Sequence, residues 1–442
     1  MHRYIERVVD LLDPTLNVLH GMTDAEARAC VLSGDPAAVR TIDGSFAIVA
    51  RDGITVRMAR TLDRPMRYFL AKRAEGPALF IADRMDTLRD ALAAEGLADQ
   101  FHPSYTRMVP AHYVVEIKLV GCPDPDPTYT RYFTPERAAL PADPDAIGER
   151  YVAAMRDEVR KWLEHVERTS GGTAPIGVCF SGGIDSGSVF LVVYDTMRRL
   201  GMSPARLKAF VLDGGGPDVQ QAHEFLDRLG LGLFFEPIPA GDAPLDLDET
   251  LRVIEDYKPL DVECAALVLR LYRGIRERYP EWRFLLDGDG GDENLKAYPI
   301  EENPELTIRS VVDNLMLYHE GWGVGRIKHS LTYSGGLSRS YVRTYAPARR
   351  FGFDAFSPYT RPSVVEVAEG IPFASLTGYD VPTLYGLKGA IVSSGVRRVT
   401  GLEMPVFPKR RFQHGAMPKE ALRISLPVDK AACRRAVHAL YA

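Results

Sequence analysis

Ser181-Gly182-Gly183-Ile184-Asp185-Ser186 concentrates more chemistry than any other stretch of this 442-residue chain. It lies between a short apolar run, Ile176 to Phe180, and a second apolar run with helical spacing from Ile184 through Leu200. That is the pattern of a buried strand, a tight glycine turn and a helix start. Such a turn points several backbone N–H groups into one concavity, and the helix N-terminus adds partial positive charge. Gly182 and Gly183 let the main chain close on an anion where a Cβ would collide. Ser181 and Ser186 add hydroxyl donors at the rim. Asp185 puts a carboxylate where a magnesium ion on a polyphosphate would sit. The competing reading is a strand-to-helix turn with no ligand; the six-residue string after an apolar strand favours a pyrophosphate cradle.

Two further glycine-rich stretches follow apolar runs. Leu212-Asp213-Gly214-Gly215-Gly216-Pro217-Asp218 closes the run Leu207 to Leu212, and is either a second ligand loop or a flexible connection. Leu286-Asp287-Gly288-Asp289-Gly290-Gly291-Asp292-Glu293 closes the run Phe284 to Leu286. Its crowded carboxylates repel one another unless something positive sits among them. A solvated acidic loop is the bland alternative.

These segments need a frame. From Ile176 onward, strand and helix patterns alternate, the rhythm of a parallel sheet wrapped by helices. In such a sheet a ligand lies at the carboxyl ends of the strands, where all three glycine stretches fall. Ala146 to Val166 reads as a long amphipathic helix with Ile147, Tyr151, Met155, Val159 and Leu163 on its apolar face. Residues beyond about 300 read as mostly helical with loops. Residues 1 to about 133 read as β-rich, with strands near 45–50, 54–59, 67–71, 78–82 and 113–118 and a hairpin turn at Arg51-Asp52-Gly53. Thr134-Pro135 through Pro144-Asp145 reads as a linker.

Composition is that of a soluble globular protein, and the net charge of −5 carries no basic footprint for nucleic acid. Five scattered cysteines without a C-x-x-C pair argue against a disulfide framework and a zinc site. The N-terminus does not look like a secretory signal, and no apolar stretch reaches membrane-spanning length. A cytoplasmic location is expected, with no membrane partner.

Ser-Gly-Gly-Ile-Asp-Ser resembles the PP-loop of ATP pyrophosphatases. Together with the acidic loop it resembles the asparagine synthetase family, which includes β-lactam and carbapenam synthetases and lasso-peptide cyclases. The resemblance implies an α/β fold in two parts: a degenerate, Ntn-glutaminase-like layered β-rich domain over 1–140, and a PP-loop parallel-sheet domain with a helical extension over 146–442. It implies ATP and Mg2+, with nucleotide contacts from Ser181, Gly182, Gly183, Ile184, Asp185, Ser186, Leu212 and Gly288, and magnesium on Asp185 and Asp292. Asp289 takes the place of a residue that is glutamate in asparagine synthetases and tyrosine in β-lactam synthetases. It is the expected base, or the orienter of one, with Glu320 of His319-Glu320-Gly321-Trp322 as partner and Asp354 as a rival. Ser357-Pro358-Tyr359 resembles the family's Pro-Phe-Leu-Asp segment, and Lys388 a family lysine early in a late helix. Lys409, three residues before Phe412 and six before Gly415, matches the family's Lys-x-x-Phe-x-x-Gly element and its charge-stabilising lysine.

Gly44-Ser45-Phe46-Ala47 and Arg60-Thr61-Leu62-Asp63-Arg64-Pro65 resemble fragments of the family's glutaminase domain. The second residue, cysteine in that glutaminase, is His2 here, and the nearest cysteine is Cys30 in an apparent helix. Without a nucleophile no thioester forms, so a scaffold is expected. The implied activity is AMP-forming amide synthesis from a small-molecule carboxylic acid and an amine, without glutamine hydrolysis, in specialised metabolism; a homodimer is compatible with it. The rival readings are a PP-loop sulfurtransferase or tRNA-modifying enzyme, and a non-catalytic nucleotide-binding scaffold.

Overall fold

Apolar runs alternating with helices in the second half fold as a five-stranded, all-parallel sheet. Its order is Phe235–Pro239, Leu207–Asp213, Ile176–Cys179, Phe284–Leu286 and Asp354–Phe356. The computed structural model describes residues 7–118, 126–241, 243–301, 306–313 and 340–441. The three strands expected from the sequence are the central three, with Ile176 opposite Leu207 on one side and Phe284 on the other. Both edge strands are additions to that expectation. Phe235–Pro239 carries Pro237 and Pro239, which an edge tolerates because proline cannot donate to a second neighbour. Asp354–Phe356 has only three residues and interrupts a region expected to be mostly helical.

Each face of this sheet is covered. On one side lie helices Pro144–Ser170, Ile184–Arg199 and Val381–Thr400, packed on Ile176, Val178, Ala209, Val211 and Leu286. On the other, helices Leu247–Ile254, Pro259–Arg278 and Lys430–Leu440 pack with Phe210, Leu212 and Leu285. Helix Pro144–Ser170 outruns its expected span at both ends. Asp143 caps its N-terminus, Pro144 fits its first turn, and Gly171 ends it at φ +70°. Ile147, Tyr151, Met155, Val159 and Leu163 are all buried. Helix Val381–Thr400 crosses it through two glycines back to back. A Cβ on Gly148 would collide with the Ile391 carbonyl oxygen, and one on Gly395 with the Gly148 carbonyl oxygen.

The N-terminal part has two four-stranded sheets. One is antiparallel, in the order Thr128–Arg131, Tyr113–Lys118, Thr55–Arg60, Ala47–Asp52; the other runs Arg7–Asp10, Ala78–Ala82, Arg67–Ala71, Arg107–Met108. They face each other across Val49, Met58, Val115, Tyr68, Leu79 and Ile81. Helix Asp24–Ser33 covers the outer face of the first through Ala27 and Val31, and helix Met85–Ala94 that of the second through Leu88 and Leu92. The result is four layers: helix, sheet, sheet, helix. The expected hairpin is present, pairing Asp52 with Thr55 around Gly53 at φ +55°. Cys30 lies in helix Asp24–Ser33 with a free thiol. No helix among the described residues is long and apolar enough to cross a membrane.

Candidate functional site

Strand Ile176–Cys179 delivers the chain into Ser181-Gly182-Gly183, and helix Ile184–Arg199 starts immediately after. The turn is braced from within. Ser181 N donates to Ser186 Oγ at 3.1 Å, the two serine hydroxyls lie 3.1 Å apart, and Gly183 N donates to Ser181 Oγ at 3.3 Å. Gly182 is required twice over: its φ is +70°, and a Cβ would lie 2.8 Å from the Ala222 backbone. The helix is capped by Gly183 with no side-chain cap bond, and its positive N-terminal end lies at the carboxyl end of the central strand. Leu212 is buried one residue before the end of its strand, beside this turn.

The acidic loop is pressed against the turn. A Cβ on Gly288 would lie 2.6 Å from Ser186 N and 2.8 Å from Asp185 C, and one on Gly291 would lie 2.5 Å from Asp185 Cγ. Both glycines are therefore explained by contact with the first loop. The positive charge the carboxylates require is also present. Lys388 Nζ bonds Asp185 Oδ2 at 2.6 Å and Asp292 Oδ1 at 2.5 Å, and Lys409 Nζ lies 2.8 Å from Asp292 Oδ1. Lys409 also donates to the Ala297 carbonyl. Burial pushes Asp185 up to about 6, partly offset by Lys388. Burial acts the same way on Asp292, but Lys388 and Lys409 together overcome it and hold that carboxyl well below the usual range. Burial would lower Lys388; its two carboxylates outweigh that and raise it.

Asp289 stands on the far side of the loop. It faces Arg343 Nη1 at 3.6 Å, and the same guanidinium pairs with Asp261 at 2.9 Å and Glu293 at 3.7 Å. Arg343 belongs to a π-helical turn, Tyr341–Tyr345, a geometry frequent at functional sites. Burial raises Asp289, with Arg343 opposing. Burial and the Asp289 charge push Asp287 up to about 7. Glu320, the expected partner of Asp289, lies outside the described residues. Asp354 is no rival: it opens an edge strand, at the opposite end from the strand termini that carry the loops, and pairs with Arg283 at 2.8 Å. Strand polarity, which spacing alone does not supply, decides this.

Other expected segments serve as support. Tyr359 OH lies 2.5 Å from Ser188 Oγ, and the Tyr359 carbonyl accepts from Asn294 Nδ2 at 2.9 Å. Ser357 Oγ donates to Asp287 Oδ1 at 2.6 Å. The Gly214-Gly215-Gly216 loop is packed, not open: a Cβ on Gly214 would lie 2.7 Å from the Ala416 carbonyl oxygen. Cys179 packs in the sheet, its Sγ 3.8 Å from Tyr272 OH. Arg343 carried no signal in the sequence. Lys388 was visible only through resemblance, since one lysine in a helix is ordinarily a surface residue.

Magnesium fits this oxygen donor set. Asp185 Oδ1 is buried with no hydrogen-bond partner, and both carboxylates already attract ammonium groups. Among the described residues no cluster of three or more His, Cys, Asp or Glu could hold a metal. Magnesium characteristically takes one or two carboxylates plus substrate phosphates instead of an all-protein cage.

Comparison with known proteins bears on the parallel-sheet half. A family model described as asparagine synthase matches residues 158–373. A tRNA-cytidine(32) 2-sulfurtransferase from Ruegeria pomeroyi is 31% identical over 130 residues, 29% of this chain and 40% of that protein. The chain thus spans well under half the length of that curated relative.

Proposed function

We propose, starting from a chain that belongs to the asparagine synthetase family through its domain at residues 158–373, that it is an AMP-forming amide synthetase acting without glutamine. The observation that carries this reading is the convergence of four separate segments. Asp185 and Asp292 share Lys388 at 2.6 and 2.5 Å, and Lys409 meets Asp292 at 2.8 Å.

A carboxylate is a poor electrophile because oxide would have to leave. Its oxygen attacks the α-phosphorus of ATP, the bond to the β-phosphate oxygen breaks, and pyrophosphate departs, leaving an acyl-adenylate. Magnesium held by Asp185 and Asp292 supplies charge neutralisation on the polyphosphate. The backbone N–H groups of Gly182 to Ser186 grip the departing pyrophosphate. Lys409, anchored by Asp292 and the Ala297 carbonyl, meets negative charge developing on the phosphoryl or acyl oxygen. An amine then attacks the acyl carbon, AMP leaves, and the amine proton passes to a base, for which Asp289 is the candidate. Asp289 takes this role paired to Arg343. Lactam-forming cyclisation and coupling to a separate amine are both within this scheme.

The four N-terminal layers are read as a glutaminase-like fold serving as a scaffold, with Cys30 held within a helix. A second reading, a PP-loop sulfurtransferase acting on tRNA, is favoured by the partial likeness to the Ruegeria protein. The absence of C-x-x-C pairs from the sequence and the net charge of −5 weigh against it.

The test is a screen of carboxylic acids and amines with Mg–ATP, reading AMP and pyrophosphate, with glutamine, ammonia and tRNA transcripts as controls. AMP and pyrophosphate are expected in equal amounts with an acid present, glutamine untouched, and turnover lost in Asp292→Asn. ADP as product would overturn the reading, and sulfur transfer to tRNA would replace it with the second.

A further inference from the structure

We infer that Asp63, in the N-terminal layers, and Arg361, in the synthetase half, form a pair of positioning residues that fixes the acidic loop from behind. The inference rests on the amide-synthetase reading in taking Asp292 as a magnesium carboxylate, and it gives the N-terminal layers a definite task.

Both residues are buried, at 8% and 4% exposure. Asp63 accepts from Thr61 Oγ1 at 2.6 Å and from the Ser45 hydroxyl, and meets Arg361 Nη1 at 3.3 Å. Burial would raise its carboxyl; Arg361 and the two hydroxyls hold it below the usual range. On its other side Arg361 Nε faces Glu158 at 3.8 Å, and the guanidinium lies 5.6 Å from the centre of the Phe356 ring. Glu158 is itself fixed by Lys161 at 2.7 Å and Ser363 at 2.5 Å. The guanidinium is therefore set between two anchored carboxylates.

From Arg361 the backbone runs directly to the support of the loop. Ser357 N donates to Tyr345 OH at 2.8 Å, and Ser357 Oγ donates to Asp287 Oδ1 at 2.6 Å. Asp287 N donates to the Phe356 carbonyl at 3.2 Å, and Asn294 Nδ2 donates to the Tyr359 carbonyl at 2.9 Å. Asp287 and Asn294 flank Asp292 in the chain. Both ends of the acidic loop are thus fastened to residues 356–359, and that segment is fastened through Arg361 to Asp63. A second charged joint between the two halves lies elsewhere. Glu255 meets Arg67 and Arg84, each at 3.4 Å, beside helix Leu247–Ile254. That joint provides the control for mere adhesion.

The experiment measures binding of N-methylanthraniloyl-ATP to the full chain, with magnesium and with EDTA. Asp63→Asn and Arg361→Met should each weaken the magnesium-dependent affinity about 3- to 30-fold. Affinity in EDTA should change by less than about twofold, and the double variant should be no worse than the poorer single one. Arg84→Met should lower the melting temperature and leave the gain from magnesium unchanged. A folded Asp63→Asn protein with the wild-type gain overturns the inference and leaves the amide-synthetase reading standing. Should Asp63→Asn not fold, Ser357→Ala carries the same test: a reduced gain supports the link, an unchanged one overturns it. A wild-type chain that binds no magnesium nucleotide removes the functional reading, and this inference with it.

Discussion

Replacing Gly288 with alanine adds one methyl group and removes no charge, so its effect isolates loop geometry. The added Cβ would stand 2.6 Å from Ser186 N, whereas ordinary contact begins at 3.4 Å. Ser186 N and Asp185 C are backbone atoms, so no side-chain rotation relieves the clash. The two loops must open by about 0.8 Å, enough to turn a 2.9 Å bond from a loop N–H to phosphate into a contact near 3.7 Å, outside hydrogen-bonding range. One charge-assisted hydrogen bond is worth about 1.5–3 kcal/mol, so losing one raises the dissociation constant for Mg–ATP about 10- to 150-fold. Isothermal titration of Mg–ATP into folded Gly288→Ala measures this directly. Gly386→Ala, in helix Val381–Thr400 with nothing within 4 Å of its added Cβ, should bind like wild type. Wild-type affinity in Gly288→Ala would refute the claim that the two loops share one nucleotide.

Two further outcomes are expected. Lys409→Met should lower the rate of pyrophosphate formation about a hundred- to a thousand-fold while changing nucleotide affinity far less, because Lys388 still bridges the carboxylates; a parallel fall in both would assign Lys409 to ground-state binding. Asp218, pushed up to about 7 by burial with Arg410 opposing, ties stability to pH. Its folded value lies above the unfolded one, so its contribution is complete below about 4 and fades as pH rises through about 7. The melting temperature of Asp218→Asn should therefore exceed wild type by a margin that widens from about pH 5 to pH 8, and a constant margin would contradict the assignment.

What the sequence revealed follows from how local each signal is. The central strands and the first loop are contiguous patterns: apolar run, glycines, helix. They were legible without a fold. The edge strands were not, because Pro237 and Pro239 spoil one pattern and the other is only Asp354–Phe356. In the acidic loop, the crowding of Asp287, Asp289, Asp292 and Glu293 demanded cations, and the sequence could say that much. Which cations answer was beyond it. Lys388 lies 96 residues from Asp292, and Arg361 lies 298 from Asp63. The case for Asp354 failed for a related reason: only the direction of its strand shows that it sits at the wrong end.

The paired glycines where helices Pro144–Ser170 and Val381–Thr400 cross have a consequence for how this protein can vary. Lys388 and Gly395 are seven residues, two helical turns, apart, so they share a face of one rod. A bulkier side chain at position 148 or 395 would wedge the rods apart and lift the ammonium off both loops at once. Chains that retain the bridge from Asp185 through Lys388 to Asp292 should therefore carry a tiny residue at both crossing positions, and chains that have let either one grow should have given up the bridge.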